Sequence, residues 1–240
     1  DPQQRQLLAH GYQAFHAEGL MPNALLGSDV GVFIGITSTE WMSVPRPQSV
    51  YNISGAGHCF AAGRISYVLG LHGASLAVDT ACSSFLVSAC GVMRALQFAE
   101  CQMSLLAGVQ AMLVPSTPIL YATGGLTSTR GRSHTFDSRA DGFARGEACG
   151  AAILELGTHH GKAFVLGGAV RQDGKSASLT APNGHAQQIL LLAARADTGT
   201  SARLSCLQAH GTGTALGDPV EVGAFMAVQS ENSDAALEFL

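Results

Sequence analysis

Charge is scarce in this sequence. Only 12% of its 240 residues are Asp, Glu, Lys or Arg, against 47% hydrophobic. The formal net charge is −4 and no run of Lys or Arg occurs. Binding a phosphate backbone needs clustered positive charge, so no nucleic-acid partner is expected. No uninterrupted apolar stretch is long enough to span a bilayer, so no membrane partner is expected either. The six cysteines, Cys59, Cys82, Cys90, Cys101, Cys149 and Cys206, include no CxxC pair, and no His/Cys cluster has metal-ligand spacing. A disulfide scaffold and a bound metal are both set aside on that ground. The five cysteines other than Cys82 are expected to be small buried hydrophobes in a reduced, intracellular chain. A P-loop is missing. Gly211-Thr212-Gly213 begins a dinucleotide fingerprint, but Leu216 stands where the third glycine belongs and no acidic residue follows at the required distance.

What is abundant is glycine, 29 residues, set among continuous apolar runs. That composition fits a Gly-rich α/β protein with buried strands. Apolar spacing predicts a helix over Gln3–Leu20, ended by Gly19. Strands are expected over Asp29–Thr37, Ala74–Ala81, Met103–Leu113, Cys149–Leu156, Lys162–Val170 and Ala202–Ala209. Helices are expected over Ala61–Leu71, Ser83 to about Phe98, about His185–Ala196 and the segment opened by Gly217. The helix after Ser83 is apolar nearly all round and should be buried. In the last helix, Asp218 can cap, Pro219 fits the first helical position and Glu221 completes a box-like arrangement. A Gly/Ser/Arg-rich connector fills Thr123–Gly142. Strands alternating with helices predict a mixed or parallel sheet covered on both faces.

Chemistry enters at "VDTACSSFLVSACGVMRAL", residues 78–96. Cys82 falls where a strand hands over to a helix. The first N–H groups of a helix have no internal partners, and the helix dipole is positive there, so a thiolate is stabilised and an oxyanion can be held. A second strand end carries His210 in "QAHGTGTALGDPVE". Thiol chemistry often needs a neighbouring imidazole. Gly211 and Gly213 let a ligand approach the backbone, and Thr212 and Thr214 offer hydroxyls to an amide-rich ligand. The alternating charges Asp137, Arg139, Asp141, Arg145 and Glu147 read as a structural ion-pair network.

Together "VDTACSS", "FDSRADGFARGEACG", "QDGKSASLTAPNGHAQQ" and "AHGTGTALGDPVEVGA", with "DPQQRQLL" and "AAGRISYVLGLHGAS", run in order through the chain. This set resembles the β-ketoacyl synthase (ketosynthase) domain of type I, modular polyketide synthases. The resemblance implies a thiolase-like α/β fold of mixed sheets layered with helices. The N-terminal half would occupy about residues 1–155, and the start of the C-terminal half about 156–240. The implied activity is decarboxylative Claisen condensation of a Cys-bound acyl chain with a carrier-bound malonyl-type extender, an acyltransferase reaction. Cys82 matches the acyl-accepting nucleophile, His210 the first active-site His, and Thr212 and Thr214 the hydroxyls that contact phosphopantetheine. The resemblance implies no directly bound cofactor, since the substrate rides on the phosphopantetheine of an acyl carrier protein. The implied partners are that carrier, a second copy of the chain in a homodimer, and adjacent domains of a larger synthase. The expected location is the cytoplasm, with an organelle left open.

The chain departs from the family pattern at several points. The second His of the family, in a Lys-containing block, would lie beyond Leu240, and the chain, beginning at Asp1 rather than Met, reads as a piece of something longer. Phe85 stands where a small residue is common, Arg171 replaces a usual Asn and Ala148 a usual Gly. The competing readings are a catalytically silent carrier-docking or dimerisation module, a fatty-acid synthase condensing domain and, more remotely, a biosynthetic thiolase.

Overall fold

The computed structural model describes residues 1–37, 40–157, 161–200, 206–230 and 238–239. The chain forms two compact units, Asp1–Pro115 with Gly146–Ala163, and Ser116–Arg145 with Phe164–Leu240. No helix among the described residues is long and apolar enough to cross a membrane.

The first unit runs α1 (Pro2–Ala17), α2 (Pro22–Leu25), β1 (Gly31–Ile36), α3 (Glu40–Ser43), α4 (Tyr51–Ser54), α5 (Cys59–Leu69), β2 (Ser75–Val78), a 3₁₀ turn (Ala81–Ser83), α6 (Ser84–Gln97), β3 (Met103–Gln110) and β4 (Ala148–Glu155). Asp1 caps α1 by accepting from the Gln3 N–H, with Pro2 at the first helical position. Gly70, at φ +68°, ends α5 in the left-handed conformation that glycine adopts without steric cost.

The strands form one sheet in the order β2-β1-β3-β4. The β2/β1 and β1/β3 pairs are parallel, and β4 closes the far edge antiparallel to β3. Strand side chains alternate between two cores. Val32, Ile34, Ile36, Leu105, Ala107 and Val109 pack with Leu7 and Phe15 of α1 and Ile65 of α5. Phe33 and Leu106 pack with Val92, Ala95 and Leu96 of α6. Helices therefore cover both faces, and each such fully buried side chain contributes about 1.5–3 kcal/mol.

On the α6 face, Gly35, Gly108 and Gly150 stand side by side in register across β1, β3 and β4. A Cβ on Gly35 would lie 2.6 Å from the Phe85 nitrogen and 2.7 Å from the Ser84 carbonyl carbon. One on Gly108 would lie 2.8 Å from the Phe85 ring. Bare backbone at these positions is what lets the first turn of α6 settle onto the sheet.

Beyond Gln110 the chain leaves the sheet, and side chains take its next four N–H groups. Gln3 Oε1 accepts from Ala111, Glu147 Oε1 from Met112, and the buried Glu40 Oε2 from Leu113 and Val114. This is why the expected strand over Met103–Leu113 stops three residues early.

The second unit holds α7 (Ser116–Thr123), α8 (Gly184–Asp197), β5 (Cys206–Leu207), α9 (Gly217–Ser230) and β6 (Glu238–Phe239). β5 and β6 pair in parallel, and α8 packs on α9. Asn183 caps α8 by accepting from His185 and Ala186, and is itself held by Asp173.

Several expectations need correction. Lys162–Val170 forms no strand; among the described residues it has no ladder partner, and Phe164, Val165 and Leu166 are exposed. Of the expected Ala202–Ala209 strand only Cys206–Leu207 is formed, and residues 202–205 lie outside the described residues. The helix α6 is not buried all round, because Leu86 is exposed and Phe85, although its ring rests on Gly108, is partly so. Of the five cysteines expected to be buried, only Cys101 is; Cys90 and Cys149 are half-buried, and Cys59 and Cys206 are exposed. Burial pushes the Cys149 thiol above its ordinary range.

Gly35→Ala is expected to lower unfolding stability by about 1–3 kcal/mol, because its Cβ meets rigid backbone. Gly63→Ala within α5, where a Cβ meets nothing within 4 Å, should instead be neutral or stabilise by up to about 1 kcal/mol. Urea unfolding of the two variants reads the difference.

Candidate functional site

Cys82 sits in the 3₁₀ turn between β2 and α6 and is exposed. Ala81, immediately before it, has φ +55°, a left-handed conformation that a residue with a Cβ adopts only under strain. The neighbouring side chains hold that turn. Asp79 Oδ1 accepts from the Ala81 N–H at 3.1 Å. Ser84 Oγ accepts from the Thr80 N–H at 2.9 Å and donates to the Ala81 carbonyl at 2.7 Å. Ser83 Oγ lies 2.9 Å from both the Thr80 carbonyl and Thr80 Oγ1. The sequence "DTACSS" thus supplies its own bracing. Asp79, Thr80, Ser83 and Ser84 take up the polar groups of a sharp corner, and Cys82 stands in it as an exposed residue.

His210, Thr212 and Thr214 belong to the second unit, where one loop brings all three together between β5 and α9. His210 is exposed, with its backbone N–H donating to Glu221 Oε1 at 2.6 Å. The Gly211 N–H donates to Glu221 Oε2 at 2.9 Å. Asp218, only 4% exposed, accepts from Gly213 at 3.0 Å through Oδ1 and from Phe136 at 2.8 Å through Oδ2. The two acids at the head of α9 therefore serve the loop, which corrects the expected capping box. Thr214 Oγ1 receives the Gly217 N–H at 3.1 Å in their place.

The stretch around residues 134–142 interleaves with this loop. Thr135 Oγ1 donates to the Gly211 carbonyl at 2.6 Å, and the Gly142 N–H to the Gly213 carbonyl at 2.9 Å. Gly213, at φ +72°, must be glycine on a second count, since a Cβ would lie 2.8 Å from the His134 nitrogen. Thr212 Oγ1 is 3.1 Å from Thr214 Oγ1. With Thr214 already accepting from Gly217, its hydrogen can go to Thr212 Oγ1, which leaves the Thr212 hydrogen to be donated elsewhere.

In the alternating-charge block the contacts are local. Arg139 pairs with Asp137 at 2.7 Å and holds that carboxyl well below the usual range. Asp141 accepts from Ser128 and Thr129, which lower it. Arg145 stacks on the Tyr121 ring, and Glu147 fastens Met112. Sequence reasoning saw Asp218 and Glu221 but gave them the wrong donors. Their signal was present, since two acids follow a loop whose glycines leave several N–H groups unpaired.

Residues 1–160 match the family model described as the N-terminal domain of β-ketoacyl synthase, and residues 162–238 match its C-terminal domain. The chain is 41% identical over 98% of its length to a phenolphthiocerol/phthiocerol polyketide synthase of Mycobacterium tuberculosis, covering 16% of that protein. It is 39% identical over 99% of its length to erythronolide synthase EryA2 of Saccharopolyspora erythraea, covering 7%. Among solved structures, the ketosynthase from module 6 of the bacillaene synthase of Bacillus subtilis superposes with TM-score 0.90 at 34% identity, over 98% of this chain and 42% of that one. The oxazolomycin ketosynthase domain OzmH KS7 of Streptomyces albus superposes with TM-score 0.87 at 29% identity, over 100% of this chain and 43% of that one. The chain thus spans under half of the solved chains it matches and a small share of the curated relatives.

Glu221→Gln places an amide donor against one of two backbone donors. It should destabilise the loop by about 1–3 kcal/mol and speed hydrogen exchange at the His210 and Gly211 amides. Leu216→Ala, on the same loop but exposed, should leave both within about 0.5 kcal/mol of the parent.

Proposed function

Because this chain belongs to the β-ketoacyl synthase family, among the ketosynthases of modular polyketide synthases, we propose that it carries out the decarboxylative Claisen condensation of polyketide chain extension. The fold is the thiolase-like fold of those ketosynthases. In this reading residues to about 155 form its N-terminal half and those from about 156 the start of its C-terminal half. The two family models, which meet between residues 160 and 162, support that division.

The observation that carries the reading is the exposed thiol of Cys82 at the head of α6, in a turn held strained by its neighbours. The Cys82 Sγ attacks the carbonyl carbon of an acyl thioester presented on a carrier. The carbonyl oxygen becomes an oxyanion, and the N–H groups at the start of a helix are suited to hold it. Collapse of that intermediate breaks the carbon–sulfur bond to the carrier, whose departing thiolate takes up a proton. His210 then acts on the malonyl-type extender. Loss of carbon dioxide leaves an enolate, whose carbon attacks the Cys82 thioester and releases the sulfur. Thr212 and Thr214 hold the amides of the phosphopantetheine arm, for which their paired hydroxyls are fitted. The arm belongs to an acyl carrier protein, and adjoining domains of a larger synthase deliver it.

The partner in a homodimer would meet the edge of the sheet. Among the described residues β2 leaves one side unpaired, with Leu76 exposed on it and Tyr67 and Leu86 exposed on α5 and α6, which pack against it. An uncovered parallel edge rimmed by apolar side chains is a surface that a second chain covers well.

Incubation with an acyl thioester, followed by peptide mass spectrometry, should place one acyl group on Cys82. Cys82→Ala should abolish it, while Cys59 and Cys206, which are exposed too, stay unmodified. Equal acylation of all exposed thiols would overturn the assignment. Leu76→Asp should move the protein from dimer to monomer in sedimentation velocity.

A further inference from the structure

We propose that Phe85 sets the acyl-chain preference of this site by occupying the space beside Cys82 into which a longer chain would extend. The inference rests on the reading that Cys82 carries the acyl group. Phe85 follows Cys82 by three residues, across the join between the 3₁₀ turn and α6. In both kinds of helix, side chains three residues apart emerge on the same side. Ser83 and Ser84, between them, are engaged in bracing the turn. Phe85 is thus the first apolar group along this face from the thiol.

The ring has a defined seat. Its Cδ2 lies 2.8 Å from where a Gly108 Cβ would be, and its Cβ and Cγ 3.5 Å, so it rests on the bare backbone of β3. Phe85 is nevertheless 39% exposed, so part of the ring faces open space. The glycine row continues under it to Gly150 on β4, directly opposite Gly108. Residues directly opposite across an antiparallel pair share a face. A Cβ on Gly150 would meet nothing within 4 Å. The face of the sheet therefore carries a strip with no side chains, half occupied by the Phe85 ring and open beyond it. An aromatic ring in that position leaves room for a short acyl group on Cys82 and crowds a long or branched one. A small residue at 85 would open the strip from Gly108 to Gly150.

The substrate class that follows is short, unbranched acyl thioesters. Differences of one methylene in an apolar site change selectivity by about 10- to 200-fold. The test measures kcat/KM for acylation of Cys82 by two-carbon and eight-carbon acyl thioesters, in the full-length synthase and its Phe85→Ala and Phe85→Leu variants. The parent should favour the two-carbon donor. Phe85→Ala should raise the eight-carbon to two-carbon ratio at least tenfold, and Phe85→Leu, which keeps an apolar side chain on Gly108, by less. An unchanged ratio in both variants, with acylation otherwise intact, overturns the role of Phe85 and leaves the condensing reading standing. If Phe85→Ala does not fold by circular dichroism, the Phe85→Leu ratio decides alone. If Cys82 accepts no acyl group in the parent, the failure belongs to the proposed function.

Discussion

The contact on which the first unit's site depends is backbone against backbone, where the opening turn of α6 rests on Gly35 of β1. A helix normally packs on a sheet through interdigitated side chains. Here the sheet has none at Gly35 and Gly108, so the helix start comes close enough to fix where its first residues stand. Farther down α6, Val92, Ala95 and Leu96 pack ordinarily against Phe33 and Leu106. The helix is thus anchored by apolar burial at one end and by close approach at the other. The strained Ala81 and the exposed Cys82 follow from that geometry, since the chain must turn sharply from β2 to reach the seat.

The second unit solves a similar problem with charge. The loop from His210 to Thr214 contains two glycines at positive φ and would leave its N–H groups without partners. Glu221 and Asp218 supply carboxylate oxygens to His210, Gly211 and Gly213, and Asp218 also reaches Phe136. A carboxylate has only acceptors to offer, which suits the N–H groups that this loop turns toward α9. The Thr212 and Thr214 hydroxyls pair with each other, and Thr214 also accepts from the Gly217 N–H.

Much of this was legible beforehand, for identifiable reasons. β1, β3 and β4 are apolar runs bounded by glycine or polar residues, and the strand-to-helix corner at Cys82 is marked by an abrupt change of period. What escaped depends on neighbours distant in sequence. That Gly35, Gly108 and Gly150 lie in one row needs the strand order and register. The end of β3 at Gln110 depends on Gln3, Glu40 and Glu147 taking the following N–H groups. Glu221 and Asp218 read as helix caps because local spacing favours that, yet their acceptors go to a loop several residues back. Lys162–Val170 has the apolar content of a strand, but strand formation requires a partner as well as a propensity.

The proposed function rests on the braced turn over Gly35 presenting Cys82 as the acyl acceptor. A crystal structure of the full-length ketosynthase, soaked with an acyl thioester, tests this most directly. The expected result is continuous density from the Cys82 sulfur to an acyl carbonyl, with the first turn of α6 still seated on Gly35. Acyl density on Cys59 or Cys206 with Cys82 bare, or an α6 lifted away from the sheet, would contradict it.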